Sequence, residues 1–149
     1  TEYQIKAAMM VNFIQFVDWP EDAQPPDDVL TVGVIGADNF GGVLDAMEGR
    51  VVSGKKLRLR RFASTHELSQ CQMLFVPESQ TYRLNEILGR VNGLPVLTIG
   101  EADAFTRLGG IIRFYIEQNH VRFEISKTAA VNSKLKISAK LMEIARVVE

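Results

Sequence analysis

The residues of this chain that could do chemistry are two histidines, one cysteine, four spaced glycines and a set of acids. His66 and His120 both fall in segments that read as exposed. The chain has no Cys-x-x-Cys, His-Glu-x-x-His or Gly-x-Ser-x-Gly motif. Cys71 opens the apolar run "CQMLFVP", where a small buried thiol is the natural reading. His66 could approach it from about a helical turn away, but nothing nearby in sequence would hold it there as a base. One cysteine among 149 residues allows no disulfide within them. The glycines of "GVIGADNFGG" (Gly33, Gly36, Gly41, Gly42) follow a strand-like run, but they lack the Gly-x-Gly-x-x-Gly spacing and no Walker lysine follows. Asp38, Glu78, Glu101 and Asp103 each follow a predicted strand. Such acids could ligate a divalent cation, or they could be ordinary solvated loop acids. A phosphoacceptor site is disfavoured, because "VPES" puts no aspartate at its strand tip and no lysine follows "PVLTIG". No catalytic constellation, metal site or cofactor is expected.

The elements that must position these residues alternate. "VLTVGVIG", "KLRLRRF", "QMLFVP" and "LPVLTIG" read as strands. Between them, helices are predicted from about Phe40, over "STHELSQ" with Ser64 or Thr65 as cap, and over "SQTYRLNEILGRV". In the last, Leu84, Ile87, Leu88 and Val91 recur at helical spacing. A short helix over Ala102–Leu108 precedes a β-hairpin in which "IIRFYIE" and "VRFEIS" flank "QNH". Ser138 is the expected cap of a final helix whose Leu141, Ile144, Ala145 and Val148 share a face.

The pattern predicts a single-domain α/β fold over residues 1–149. A largely parallel sheet is flanked by helices on both faces, with a C-terminal antiparallel β-hairpin and a final helix. The right-handed crossover rule then gathers the ends of the parallel strands on one edge. Gly36, Asp38, Glu78 and Glu101 would line a crevice there, the usual ligand position of open α/β sheets.

The opening run "KAAMMVNFIQFVDWP" is apolar around most of a helical wheel. Ile5, Ala8, Met9, Asn12, Phe13 and Phe16 form one face, and Met10, Ile14 and Val17 occupy the other. Such a helix is either deep in the domain or covered on one side by another protein. Asn12 is expected to be buried and hydrogen-bonded. Pro20 stops the helix just before Trp19, which anchors the corner.

Net charge is −1, so neither nucleic acid nor an anionic membrane is implied as a partner. The alternation in "KKLRLRR" describes a half-buried strand, and no apolar run is long enough for membrane insertion.

Several motifs carry a resemblance. "YQIKAAMMVNFIQFVDWP", "GGIIRFYIEQNHVRFEIS" and "LKISAKLMEIARVV" resemble, in order and spacing, the signature segments of the YfiR-like (DUF4154) family of periplasmic proteins. "CQMLFVPES" and "PVLTIGEADAF" fit in register, so nearly the whole chain is covered. The resemblance implies a periplasmic, non-enzymatic signalling protein with its signal peptide removed. It would be a homodimer that represses an inner-membrane diguanylate cyclase through the cyclase's periplasmic domain, lowering cyclic di-GMP and biofilm formation. An outer-membrane lipoprotein is a further implied partner. The family's redox-linked cysteine pairs are not matched by the lone Cys71. Two apolar surfaces are the candidate partner or dimer contacts: Ile14, Val17 and Trp19, and Phe123, Glu124, Ile137, Lys140 and Leu141. The alternative function is a small-ligand sensor using the strand-end crevice.

Overall fold

The computed structural model describes residues 1–149. In chain order its elements are α1 (Glu2–Phe16), β1 (Val17–Asp18), β2 (Val29–Ile35), β3 (Val51–Val52), β4 (Lys55–Phe62), β5 (Met73–Val76), α2 (Leu84–Val91), β6 (Leu97–Gly100), β7 (Ile112–Glu117), β8 (His120–Ser126), α3 (Lys127–Asn132), β9 (Lys136–Ile137), α4 (Ala139–Ile144) and β10 (Arg146–Val148). The main sheet runs β10-β8-β7-β6-β5-β2-β4-β3, and β1 pairs with β9 apart from it. From β4 through β7 every neighbouring pair is parallel. β8 returns antiparallel to β7.

β2, β5 and β6 are almost wholly buried because both sheet faces are covered. On one face α1 packs over Leu30, Val32, Phe75, Ile99 and Phe114. Phe13 of α1 sits between the Phe114 and Phe123 rings, with centroids 5.9 and 4.9 Å away. On the other face α2 packs Leu84, Ile87, Leu88 and Val91 against Leu74, Val76 and Phe105. The predicted fold class is the one observed.

Five local expectations are corrected. α1 buries Lys6, Met10, Phe13 and Ile14, while Ile5, Ala8 and Asn12 are exposed. Asn12 is therefore not a buried amide. The helix also ends earlier than Trp19, because Val17–Asp18 extends and pairs with Lys136–Ile137. No α-helix forms from Phe40 or over Ala102–Leu108. These are turns, with 3₁₀ geometry at Leu44–Met47; Gly41 and Gly42 disfavour a helix in the first segment. "STHELSQ" likewise makes only a 3₁₀ turn at Leu68–Gln70 without a side-chain cap. Finally, the last helix stops at Ile144, which is 73% exposed, and Arg146–Val148 becomes a strand parallel to β8. Its predicted cap holds, since Ser138 Oγ accepts from the Lys140 amide.

Candidate functional site

The carboxyl ends of β2, β5 and β6 do meet on one edge, and the predicted crevice residues are found there. Glu101 follows β6 and is the centre. Its carboxylate accepts from the Tyr3 hydroxyl (2.6 Å), Lys6 Nζ (2.6 Å) and the Glu78 amide (3.0 Å). Lys6 and Glu101 side chains are 5% and 6% exposed, so this is a buried ion pair. Lys6 also reaches Glu2 at 2.6 Å, one turn back on α1. Burial works against the Lys6 charge, yet the hydrogen bonds to Glu101 and Glu2 raise its pKa overall. Burial and the bond to Glu101 raise that of Tyr3.

The rest of the predicted crevice is closed by the chain itself. Asp38 accepts from the Phe40 amide and pairs with Arg61. Gly36 sits at φ +77°, where a Cβ would meet the Gln80 side chain at 2.1 Å, so Gln80 fills that corner. Glu78 donates its amide to Glu101 and leaves its carboxylate exposed. The crevice at Gly36 and Asp38 is thus packed rather than open.

A second hub lies alongside. Glu124 of β8, buried to 6% exposure, accepts from Thr106 Oγ1, from Arg113 Nε (2.9 Å) and Nη2 (3.2 Å), and from Arg146. Both guanidiniums also lie near the Tyr115 ring. Burial alone would raise the Glu124 pKa, but hydrogen bonds from Arg113, Thr106 and Arg146 outweigh it and hold the carboxyl at about 2. An open cleft of about 440 Å³ separates the two hubs. Each buried carboxylate is already held by cations, an arrangement that positions elements and presents charge.

The predicted contact residues divide. Ile14, Val17, Trp19, Phe123, Glu124 and Leu141 are interior to this chain, each at most 5% exposed. Ile14 of α1, Phe123 of β8 and Leu141 of α4 join Val17 and Trp19 in the core over the α1 face of the sheet, while Glu124 alternates to the other face of β8 and is held by Thr106, Arg113 and Arg146. Ile137 is half-buried and Lys140 exposed. Pro20 lies past the end of α1 and precedes a 3₁₀ turn. Cys71 is buried, its Sγ lies 3.2 Å from the Leu68 carbonyl, and burial pushes its pKa to about 12, so it is an inert thiol.

Sequence reasoning missed Tyr3, Lys6, Arg113 and Arg146. Lys6 had a signal, as a lone cation on an apolar helix calls for a buried anion. Arg113 had one too. Taking Glu117 and His120 as the pair closing the hairpin turn places Arg113 opposite Glu124.

A search of curated proteins returns no match. Among solved structures, a conserved domain protein from Vibrio cholerae O1 biovar El Tor is similar over 99% of this chain, with a TM-score of 0.66 and 11% identity. An ABC domain from Streptococcus pneumoniae, solved in complex with L-Trp, is similar over 96% of the chain, with a TM-score of 0.61 and 13% identity. The chain spans 60% of the length of each, and these likenesses concern the fold. The model of the DUF4154 family, described as YfiR/HmsC-like, matches residues 3–146. That match takes in both hubs, from Tyr3 to Arg146, and on it the chain belongs to the YfiR/HmsC-like family.

Proposed function

We propose that this protein is a non-enzymatic periplasmic regulator. It binds the periplasmic part of an inner-membrane diguanylate cyclase and holds the enzyme inactive, lowering cyclic di-GMP and biofilm formation. The observation that carries this reading is the family match over residues 3–146. The geometry is compatible with it: the buried carboxylates Glu101 and Glu124 are tied up by Lys6, Arg113 and Arg146. No helix is long and apolar enough to cross a membrane.

Repression of this kind requires the regulator to bind the inactive conformation of its partner more tightly than the active one. The reading includes a homodimer as the working form and an outer-membrane lipoprotein as a competing partner. The test is calorimetry with the periplasmic domain of the cyclase encoded nearest the gene. Saturable binding supports the reading. No binding by folded protein sinks it.

A small-ligand module is the second reading, favoured by the open cleft between the two hubs. The L-Trp complex of the pneumococcal domain makes free amino acids the first probes. A ligand retained through purification and identified by mass spectrometry would support this alternative.

A further inference from the structure

β6 stops at Gly100, while its neighbour β7 runs on to Glu117. The β6–β7 pairing is confined to Ile99↔Ile112 and Gly100↔Arg113, whereas β7 pairs with β8 all the way to Glu117↔His120. Phe105 folds back beneath the sheet where the β6 chain leaves it. A Cβ at Gly100 would lie 2.3 Å from the Phe105 ring, and one at Gly110 2.2 Å from it.

The hairpin turn fixes which backbone groups face the resulting gap. Gln118 and Asn119 form a two-residue turn with φ of 51° and 63°, so Glu117 and His120 exchange hydrogen bonds. Alternation along the strand then turns Arg113, Tyr115 and Glu117 toward β8, and Ile112, Phe114 and Ile116 toward the β6 side. The Ser126 amide donating to the Ile111 carbonyl across the β7–β8 seam gives the same parity. Past Gly100 no strand lies on that side, so the Ile116 N–H and C=O and the Phe114 C=O have no strand partner there. The other edge is handled differently. The Leu59 amide on β4 is capped by the Glu48 carboxylate at 2.9 Å, and Leu57 is bonded to Gly49 and Arg50.

The gap opens on the cleft between the hubs. Five carboxylates line that cleft against three cations. Lys6 is shared by Glu101 and Glu2, Arg113 and Arg146 hold Glu124, Arg113 lies 3.8 Å from Asp103, and Glu117 faces Arg122, so acids outnumber cations and Glu78 has no cation partner. The Glu78 and Asp103 carboxylates on its rim are exposed, and Ile116 is 50% exposed. Phe114 to Glu117 span about 10 Å at the ordinary rise of a strand.

We propose that this gap is a strand-addition site. An extended, basic segment of a partner protein, with apolar residues alternating, lies beside Phe114–Ile116 and completes the sheet where β6 ends. Main-chain hydrogen bonds to Ile116 supply attachment, and the acidic rim selects lysine or arginine over acidic sequences. The site rests on the reading of the chain as a protein that binds a protein partner.

The test uses two fluorescent peptides, one alternating valine with lysine and one alternating valine with glutamate, followed by anisotropy. The lysine peptide is expected to bind saturably and the glutamate peptide not to bind. Ile116→Pro removes the gap-side N–H without touching the β8 pairing and should weaken binding by about tenfold, the upper worth of one backbone hydrogen bond. Glu78→Lys combined with Asp103→Lys should transfer the preference to the glutamate peptide. The site is overturned if neither peptide binds, or if a folded Ile116→Pro protein binds the lysine peptide as the parent does. If Ile116→Pro does not fold, an unchanged preference in the charge-reversed protein overturns it instead. Dimerisation abolished by Ile116→Pro, without peptide binding, would assign the gap to a second copy and overturn the basic-segment occupant. A cyclase domain that binds parent and Ile116→Pro protein alike would remove this site and leave the regulator reading standing. Peptide binding as expected, with no cyclase binding, would do the reverse.

Discussion

Glu101 can be buried only because Lys6 and Tyr3 reach it from the other end of the chain. Removing Glu101 leaves the buried Lys6 with only the half-exposed Glu2 as counter-charge. Glu101→Ala is expected to cost about 3 kcal/mol in urea unfolding. The exposed Arg122–Glu117 pair, at 3.4 Å, is the contrast, and Arg122→Ala should cost about 0.5 kcal/mol or less. Replacing Lys6 and Glu101 together by Met and Leu should recover most of the loss, since an apolar pair has no desolvation penalty. Glu124 gives a pH prediction. Its pKa lies at about 2 in the fold against an ordinary 4.5. A depressed carboxyl stabilises the protein above its unfolded pKa, and that contribution disappears as pH falls through the folded value. The shift corresponds to about 3 kcal/mol. Glu124→Gln should therefore be clearly less stable than the parent at neutral pH, and the gap should narrow steadily below about pH 5. A gap independent of pH would refute the assignment. Lys6 has the opposite sign: its pKa is raised, so its contribution is lost only as pH rises through the alkaline range.

At the scale of elements, α1 is the piece whose burial was hardest to orient. Its exposed stripe still carries Ile5 and Ala8, so periodicity alone could not choose the core face. The choice falls to contacts with β7 and β8: Phe13 packs against Phe114 and Phe123, and Lys6 is drawn to Glu101. The two faces should respond differently to mutation. Ile14→Asp puts a charge into the core and should destabilise by about 4 kcal/mol or more, while Asn12→Ala should stay within about 0.5 kcal/mol. Circular-dichroism melts of the two variants check this. An Ile14→Asp protein that remains fully folded would mean that the inner face of α1 is not core. α4 teaches a related lesson. Leu141, Ile144, Ala145 and Val148 have helical spacing, yet the chain becomes β10 after Ile144 because the edge of β8 is available to Arg146–Val148. β-Branched valines suit that edge, and Arg146 fastens it to Glu124.

For the whole molecule, the single Trp19 is a useful reporter. It is buried at the end of α1, and its Nε1 donates to the Gln72 carbonyl at the start of β5, 3.2 Å away. If α1 and the sheet form one cooperative unit, tryptophan fluorescence and far-ultraviolet circular dichroism should trace the same urea transition. An earlier fluorescence transition would show α1 leaving first. Much of this architecture can be read from the chain. The strands, α2, the hairpin, the gathering of strand ends on one edge and the Ser138 cap all follow from local rules: side-chain periodicity, turn residues and crossover handedness. Periodicity, caps and turns act over a few residues, and crossover handedness needs only the order of the elements, not which side chains meet. The two ion-pair hubs, the inner face of α1, the closing of the Gly36–Asp38 corner by Gln80 and the conversion of the chain end into β10 do not follow from them. Each depends on partners far apart in sequence, 95 residues in the case of Lys6 and Glu101. A buried charge is stable only beside its counter-charge, and a strand only beside a free edge. Both conditions are met by the assembled sheet, so no window of sequence contains them.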